Sequence, residues 1–197
     1  HALGRFDSLL HAVAKDPAML IYLDGAASRK QQPNENFARE VMELLTLGEG
    51  HYSERDIKEA ELAFTGWTVD RAHGGVRFRP GRHDSGLKTL FGQPGLYDSD
   101  QVLNLLLQRP ETAQHITSKL WREFISPEPA AEVVQRLAED FRANHYAIKP
   151  LLRALLNAPA FWDPANRGQL VKSPVEFLLG LERQLALTPI QPKRAAK

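Results

Sequence analysis

The stretch that decides the fold is residues 33–67, PNENFAREVMELLTLGEGHYSERDIKEAELAFTGW. Asn34 is a favourable N-cap residue, and Glu35 follows it in the first turn, where the helix dipole favours an acidic side chain. Apolar residues then recur at helical spacing, and Gly48 and Gly50 are expected to end the helix. This half of the stretch therefore predicts one amphipathic helix with an unusually polar outer face.

A second helix is predicted directly after the first. Ser53 is its N-cap, Asp56 stands three residues later in a near capping box, and Gly66 marks its end. Similar signals predict helices through the rest of the chain, near residues 3–14, 99–107, 110–124, 129–143 and 151–157, and from the capping box that Ser173 forms with Glu176. The last helix is expected to bury its apolar side chains, which are Phe177, Leu178, Leu181 and Leu185.

Residues 75–92, GVRFRPGRHDSGLKTLFG, have a different character. Val76 and Phe78 alternate with arginines, and residues 87–91, LKTLF, form the expected second strand after a turn at 84–86. This pattern predicts one β-hairpin inserted between helices. The fold class expected is therefore mainly α, a single helical domain over residues 1–197 with one β-hairpin near 75–92.

Composition excludes several classes of function. The 197 residues carry a formal net charge of +1, which argues against a dedicated nucleic-acid surface. There is no cysteine, so disulfides, thiolate nucleophiles and cysteine zinc sites are excluded. No apolar run approaches the roughly 18 residues that a membrane span requires. The chain begins with His1, and its first predicted helix has an apolar stripe without a preceding partner. It is therefore expected to be part of a longer protein, with that stripe exposed here or covered by a second copy.

The first polar group that could carry chemistry lies on the helix after Asn34. Glu35, Arg39 and Glu43 follow one another at i, i+4 spacing, and Glu40 lies on an adjoining stripe. Three interpretations stay open: a ladder of surface ion pairs, a buried structural network, or a ligand or metal site that uses Glu40.

The second polar group is His83, Asp84 and Lys88. A histidine beside an acid can ligate a metal or move protons, and Glu40, His83 and Asp84 are the candidate metal ligands. The alternative is ordinary turn chemistry, in which Asp84 caps its own backbone before Gly86. We expect the two polar groups to share one surface and Arg39 to be paired with a carboxylate.

The motifs resemble a known family. PNENFARE, MELLTLGEGHYSERDIKEA, AFTGW and FRPGRHDSGLKTLFG, followed by RPETAQHITSKLWREF, IKPLLRALLNAPAFW and LVKSPVEFLLG, are similar to the large bacterial family called domain of unknown function 1800. The resemblance covers nearly the whole chain and matches the C-terminal portion of longer members. Glu61 and Leu62 depart from the pattern, where a small and then a basic residue are expected.

The resemblance implies organisation rather than a reaction. Family members are often exported in Gram-negative bacteria, and their genes often neighbour those of a second uncharacterised family, number 1501. The family implies no particular catalytic residue or cofactor. The preferred expectation is an exported, periplasmic or secreted binding or accessory module that acts with a protein partner, such as a family 1501 product. The alternatives are a metal-assisted hydrolase that uses Glu40, His83 and Asp84, and a structural half of a site completed by a missing N-terminal region.

Overall fold

The computed structural model describes residues 1–70 and 73–186, and within them the protein is 57% helical. The expected mainly α class is confirmed. The described part of the chain contains ten α-helices: α1 (Phe6–Ala14), α2 (Pro17–Tyr22), α3 (Glu35–Glu43), α4 (Glu54–Ala63), α5 (Ser99–Gln108), α6 (Pro110–Phe124), α7 (Ala131–Ala143), α8 (Ile148–Leu156), α9 (Pro159–Trp162) and α10 (Pro174–Gln184). None of these helices combines the length and apolarity that would let it cross a bilayer.

Two antiparallel strand pairs replace the single predicted hairpin. They are β1 (Trp67–Asp70) with β2 (Gly75–Phe78), and β3 (Lys88–Leu90) with β4 (Gln93–Gly95). The predicted pairing of 75–79 with 87–91 is therefore wrong. Phe91 and Gly92 both have positive φ, which is the geometry of a two-residue hairpin turn, so β3 pairs with the residues that follow it.

The predicted helix starts are confirmed where a side chain caps the backbone. Asn34 Oδ1 accepts from the Phe37 N–H at 2.8 Å. Ser53 forms a capping box at the start of α4, and Ser173 forms one at the start of α10. The predicted end of α3 is wrong, because the helix stops at Glu43, before the glycines.

The first helix contributes to the core. Phe6 and Leu10 of α1 are buried, and the Phe6 ring packs against Phe141 and Tyr146, with ring centroids 6.4 and 6.0 Å away. The expectation of an uncovered apolar stripe on this helix is therefore wrong. The ring partners of Phe6 lie late in the sequence, around the end of α7, so no local pattern indicates them.

The predicted burial of the last helix is also wrong. No residue of α10 is buried. Its apolar face is exposed by 57% at Phe177, 58% at Leu178 and 36% at Leu181, and by 59% at Leu185 just beyond its end. The buried core is built instead from α1 to α8 with β3, and it is centred on large side chains such as Trp121 of α6 and Phe141 of α7.

Candidate functional site

The turn before β3 is built around a buried cation. Lys88 is only 1% exposed, and its ammonium group donates hydrogen bonds to the carbonyl oxygens of Asp84 at 2.7 Å and Gly86 at 2.9 Å. Its third neighbour is the Asp84 carboxylate, 3.3 Å away. The backbone of residues 84–86 therefore wraps around the lysine head group, which satisfies its donors in place of water.

The Asp84 carboxylate is held in its ionised form. Burial alone would raise its pKa, but the N–H of Gly86, which donates to Oδ1 at 2.9 Å, and the charge of Lys88 outweigh burial and hold the pKa of Asp84 below its ordinary value. Asp84 therefore caps its own backbone at Gly86, as the second of the two sequence interpretations predicted, and Lys88 binds the same turn.

His83 is oriented by the end of α4. Its Nδ1 lies 3.0 Å from the carbonyl oxygen of Thr65, and because a carbonyl can only accept, Nδ1 carries the proton of the neutral ring. The Nε2 atom is then left with its lone pair and has no hydrogen-bond partner among the described residues. A histidine fixed at one nitrogen and open at the other can act as a base or as a ligand.

Thr65 links this turn to α4. Its hydroxyl donates to the Leu62 carbonyl at 2.6 Å and accepts from the Asp84 N–H at 2.8 Å. Thr65 was not a candidate from the sequence. The only signal that could have found it is its place between a helix end and Gly66, where a polar side chain often caps the backbone.

The polar group on α3 is a surface ion-pair network. The Arg39 guanidinium donates to Glu54 at 2.7 and 3.0 Å and to Glu35 at 2.6 Å, and these partners raise its pKa above the ordinary value. The predicted pairing of Arg39 with a carboxylate is confirmed, although sequence spacing did not indicate Glu54. The side chain of Arg39 is about a third exposed and that of Glu54 mostly exposed, so solvent screens the pair and it contributes little to stability.

Glu43 does not extend the Arg39 network as the i, i+4 ladder predicted. Its carboxylate instead accepts from the Tyr52 hydroxyl at 2.6 Å. Burial and the neighbouring Glu43 together raise the pKa of Tyr52 to about 12.

A buried loop residue, Ser28, joins the backbone at the start of α3 to the backbone at Gly66, beside His83. Ser28 accepts from the Asn34 N–H through its hydroxyl at 3.1 Å, and its carbonyl accepts from the Gly66 N–H at 3.3 Å. The start of α3 and the His83 turn are therefore tied to the same residue. A Cβ built on Gly66 would lie 3.0 Å from the Cβ of His83, so this crossing point has no room for a side chain.

Glu40 belongs to neither group. Its side chain makes no hydrogen bond or ion pair with any described residue, and residues 1–70 and 73–186 contain no cluster of three or more histidine and acidic side chains arranged to hold a metal ion. The geometry brings together His83, Asp84 and Lys88, and separately Glu35, Arg39 and Glu54. A metal role for Glu40, His83 and Asp84 stays a prediction.

A wide groove lies away from both polar groups. A groove of about 840 Å³ runs between α7, α8 and α9. Its walls are mostly apolar and include Trp121, Val133, Leu137, Ala154 and Trp162. No sequence pattern indicates this groove, because its walls come from separate helices and the apolar side chains of each helix, taken alone, predict core packing.

One comparison with known proteins identifies a relationship. The family described as Protein of unknown function (DUF1800) matches the chain over residues 1–197. No curated protein and no solved structure matches it. The relationship expected from the quoted motifs is therefore confirmed.

Proposed function

The chain belongs to the DUF1800 family, whose description assigns no activity, and we therefore propose a function from its geometry: it is a binding module that docks on a polypeptide through the apolar face of α10.

One observation carries this proposal, the exposure of a complete amphipathic stripe. Phe177, Leu178, Leu181 and Leu185 recur at i, i+1, i+4 and i+8, which places them on one face of the helix, and more than a third of each side chain is exposed. Contiguous exposed apolar surface of this kind is typical of interaction sites.

The low stability expected of α10 on its own supports the same proposal. The eleven residues of α10 are fewer than the roughly 12–15 that an isolated helix needs to be even marginally stable in water. Most helical stability in proteins comes from packing the apolar face, and here no residue of the helix is buried. A second polypeptide on this face would supply the missing packing.

Cysteine labelling tests the proposal, because residues 1–197 contain no cysteine and each introduced thiol is then the single one in this part of the protein. Leu178→Cys places a thiol on the stripe, and Arg183→Cys places one on the opposite side of the same helix. In cells that produce the full-length protein at its native level, a permeant maleimide is expected to modify the cysteine at position 183 at least about tenfold faster, because burial excludes the reagent from the stripe. Equal labelling rates at the two positions would remove the proposal.

A second candidate function, metal-assisted hydrolysis, is supported by one specific observation. The proton on His83 Nδ1 is fixed by Thr65, so Nε2 is available to a metal ion or to a substrate proton. Elemental analysis of the full-length protein purified without chelator tests this role. His83→Ala is expected to abolish any bound metal, whereas His73→Ala, a change at an exposed histidine, should leave it in place. A metal-free wild-type protein would end this candidate.

A further inference from the structure

We infer that the polypeptide bound by α10 is a second copy of this chain, with α10 of each copy seated in the groove between α7, α8 and α9 of the other. This inference rests on the proposed function of α10 and adds the identity of its partner.

The groove and the helix match in chemistry. The groove presents Val133 and Leu137 of α7, Ala154 of α8 and the exposed aromatic ring of Trp162. The helix presents the stripe from Phe177 to Leu185 along a length of about 12 Å, at 1.5 Å per residue. An apolar stripe laid into an apolar groove is a common way for proteins to bind a helix.

One basic side chain of the groove also matches one acidic side chain at the edge of the α10 stripe. Arg136 and Asp163 both line the groove, and neither side chain makes an ion pair with a described residue. Glu182 flanks the apolar stripe of α10, beside Leu178, and likewise has no ion-pair partner among the residues described. A cation at the rim of the groove and an anion at the edge of the stripe would pair when the helix docks, which fixes its direction.

The connection between α9 and α10 favours a second copy over the helix's own groove. Trp162 Nε1 donates to the Leu156 carbonyl at 3.1 Å, and the Asn166 side chain donates to the Ala160 carbonyl at 2.7 Å. No residue of α10 lines the groove in this structure, and these bonds hold the segment before α10 in that arrangement. A helix from another copy could enter the groove without breaking them.

A reciprocal exchange would also close the assembly. If each copy gives one helix and receives one, both grooves and both stripes are covered in a single two-fold dimer. Two such contacts would bury on the order of 1,000 Å² or more, which reaches the size of specific interfaces.

Sedimentation equilibrium of the purified chain over a range of concentrations is the first test. The wild type is expected to form dimers, and Leu178→Glu and Ala154→Glu are each expected to raise the dimer dissociation constant by about a hundredfold, because each would bury an unpaired carboxylate. The matched controls, Arg183→Glu on the far side of α10 and Arg153→Glu beside the groove, should change it by less than about threefold, as expected for exposed positions. A wild type that stays monomeric at all concentrations overturns the inference.

Disulfide trapping between two different chains identifies the surfaces that meet. Chains carrying only Leu178→Cys are mixed with chains carrying only Ala154→Cys and are then oxidised. The expected product is the mixed 178–154 dimer. Predominant 178–178 pairing would mean that helix packs on helix, and it would overturn the docking of α10 in the groove.

A charge exchange tests the direction of docking. Arg136→Glu and Glu182→Arg are each expected to weaken the dimer by about tenfold, and the double variant should recover most of that loss. The failure of this inference is distinguishable from that of the proposed function. If the purified chain is monomeric but the thiol of the Leu178→Cys variant is still protected in cells, a different protein covers α10.

Discussion

The ammonium group of Lys88 shows how much one buried side chain can fix. It binds two backbone carbonyls and one carboxylate of the turn at 84–86, and it is almost fully removed from water. The same turn carries His83, whose ring is held by Thr65. Lys88 therefore anchors the turn that directly follows His83.

Lys88→Met is expected to destabilise the protein by about 2–4 kcal/mol, because the carbonyls of Asp84 and Gly86 would lose their donor in a buried place. Urea denaturation measures the loss. Lys30→Met, a change at an exposed lysine, is the control and should cost less than about 0.5 kcal/mol. Similar losses for the two variants would show that the ammonium does not hold the turn.

Two threonines of α6 provide a matched pair. Both are fully buried, but the Thr112 hydroxyl donates to the Leu106 carbonyl at 2.6 Å, whereas the Thr117 hydroxyl has no partner within the described residues. Thr112→Val is expected to cost about 1 kcal/mol through its lost hydrogen bond, and Thr117→Val should be neutral or stabilising by up to about 1 kcal/mol. Thermal unfolding of the two variants separates these outcomes, and an equal loss at both positions would contradict the assignment.

At the scale of elements, α4 satisfies the open edge of β3. The N–H of Thr89 donates to Glu59 at 2.9 Å, and the N–H of Phe91 donates to Asp56 at 2.6 Å. Acidic side chains three residues apart on one helix face therefore replace a neighbouring strand, which explains how so short a hairpin can be stable. Asp56 has a second role, because it also accepts from the backbone and hydroxyl of Ser53 at the start of α4.

This double role makes Asp56 a source of acid sensitivity. Burial tends to raise its pKa, but the hydrogen bonds from Ser53 and Phe91 outweigh burial and lower it. Its contribution to stability is therefore present above the ordinary aspartate pKa of about 3.9 and is lost as the pH falls through the lower folded value. Asp56→Asn is expected to cost about 1–3 kcal/mol at pH 7 and to flatten the dependence of unfolding free energy on pH below about 4. Glu132→Gln at an exposed position of α7 is the control, and an unchanged pH profile in Asp56→Asn would contradict this account.

Local signals could predict these elements well, but not their partners. Asn34, Ser53 and Ser173 mark helix starts because capping is a contact within four residues. The predicted strand pairing is wrong for two reasons. Apolar alternation indicates that a segment is a strand but not which strand it pairs with. The Phe91–Gly92 turn also lacks the Asn-Gly sequence that usually indicates a two-residue hairpin. The candidate site could be predicted only where its residues are close together in the sequence. His83, Asp84 and Lys88 are close in sequence and meet, whereas Glu54 and Thr65 join through tertiary contacts.

At the scale of the whole molecule, the two ends of the described chain differ in how they meet the core. The α1 helix buries Phe6, Leu10 and Ala14 and lies against late elements of the chain, with the Phe6 N–H donating to the Tyr146 carbonyl at 2.8 Å. The α10 helix buries nothing. An amphipathic pattern is present in both, so the pattern predicts that a face will be covered and does not say by which molecule.

This difference predicts opposite effects of shortening the chain. A chain that ends at Gly168 is expected to unfold cooperatively at low protein concentration, with a melting temperature within about 3 °C of the intact chain, because α10 adds no buried contact to the monomer. Its removal should instead abolish the concentration dependence of melting that a dimer would cause.

A chain that lacks residues 1–15 should lose cooperative unfolding, because the aromatic cluster of Phe6, Phe141 and Tyr146 would be opened to water. Circular dichroism melts at two concentrations measure all three chains. A large drop in melting temperature for the chain ending at Gly168 at the lower concentration would mean that α10 packs on its own core.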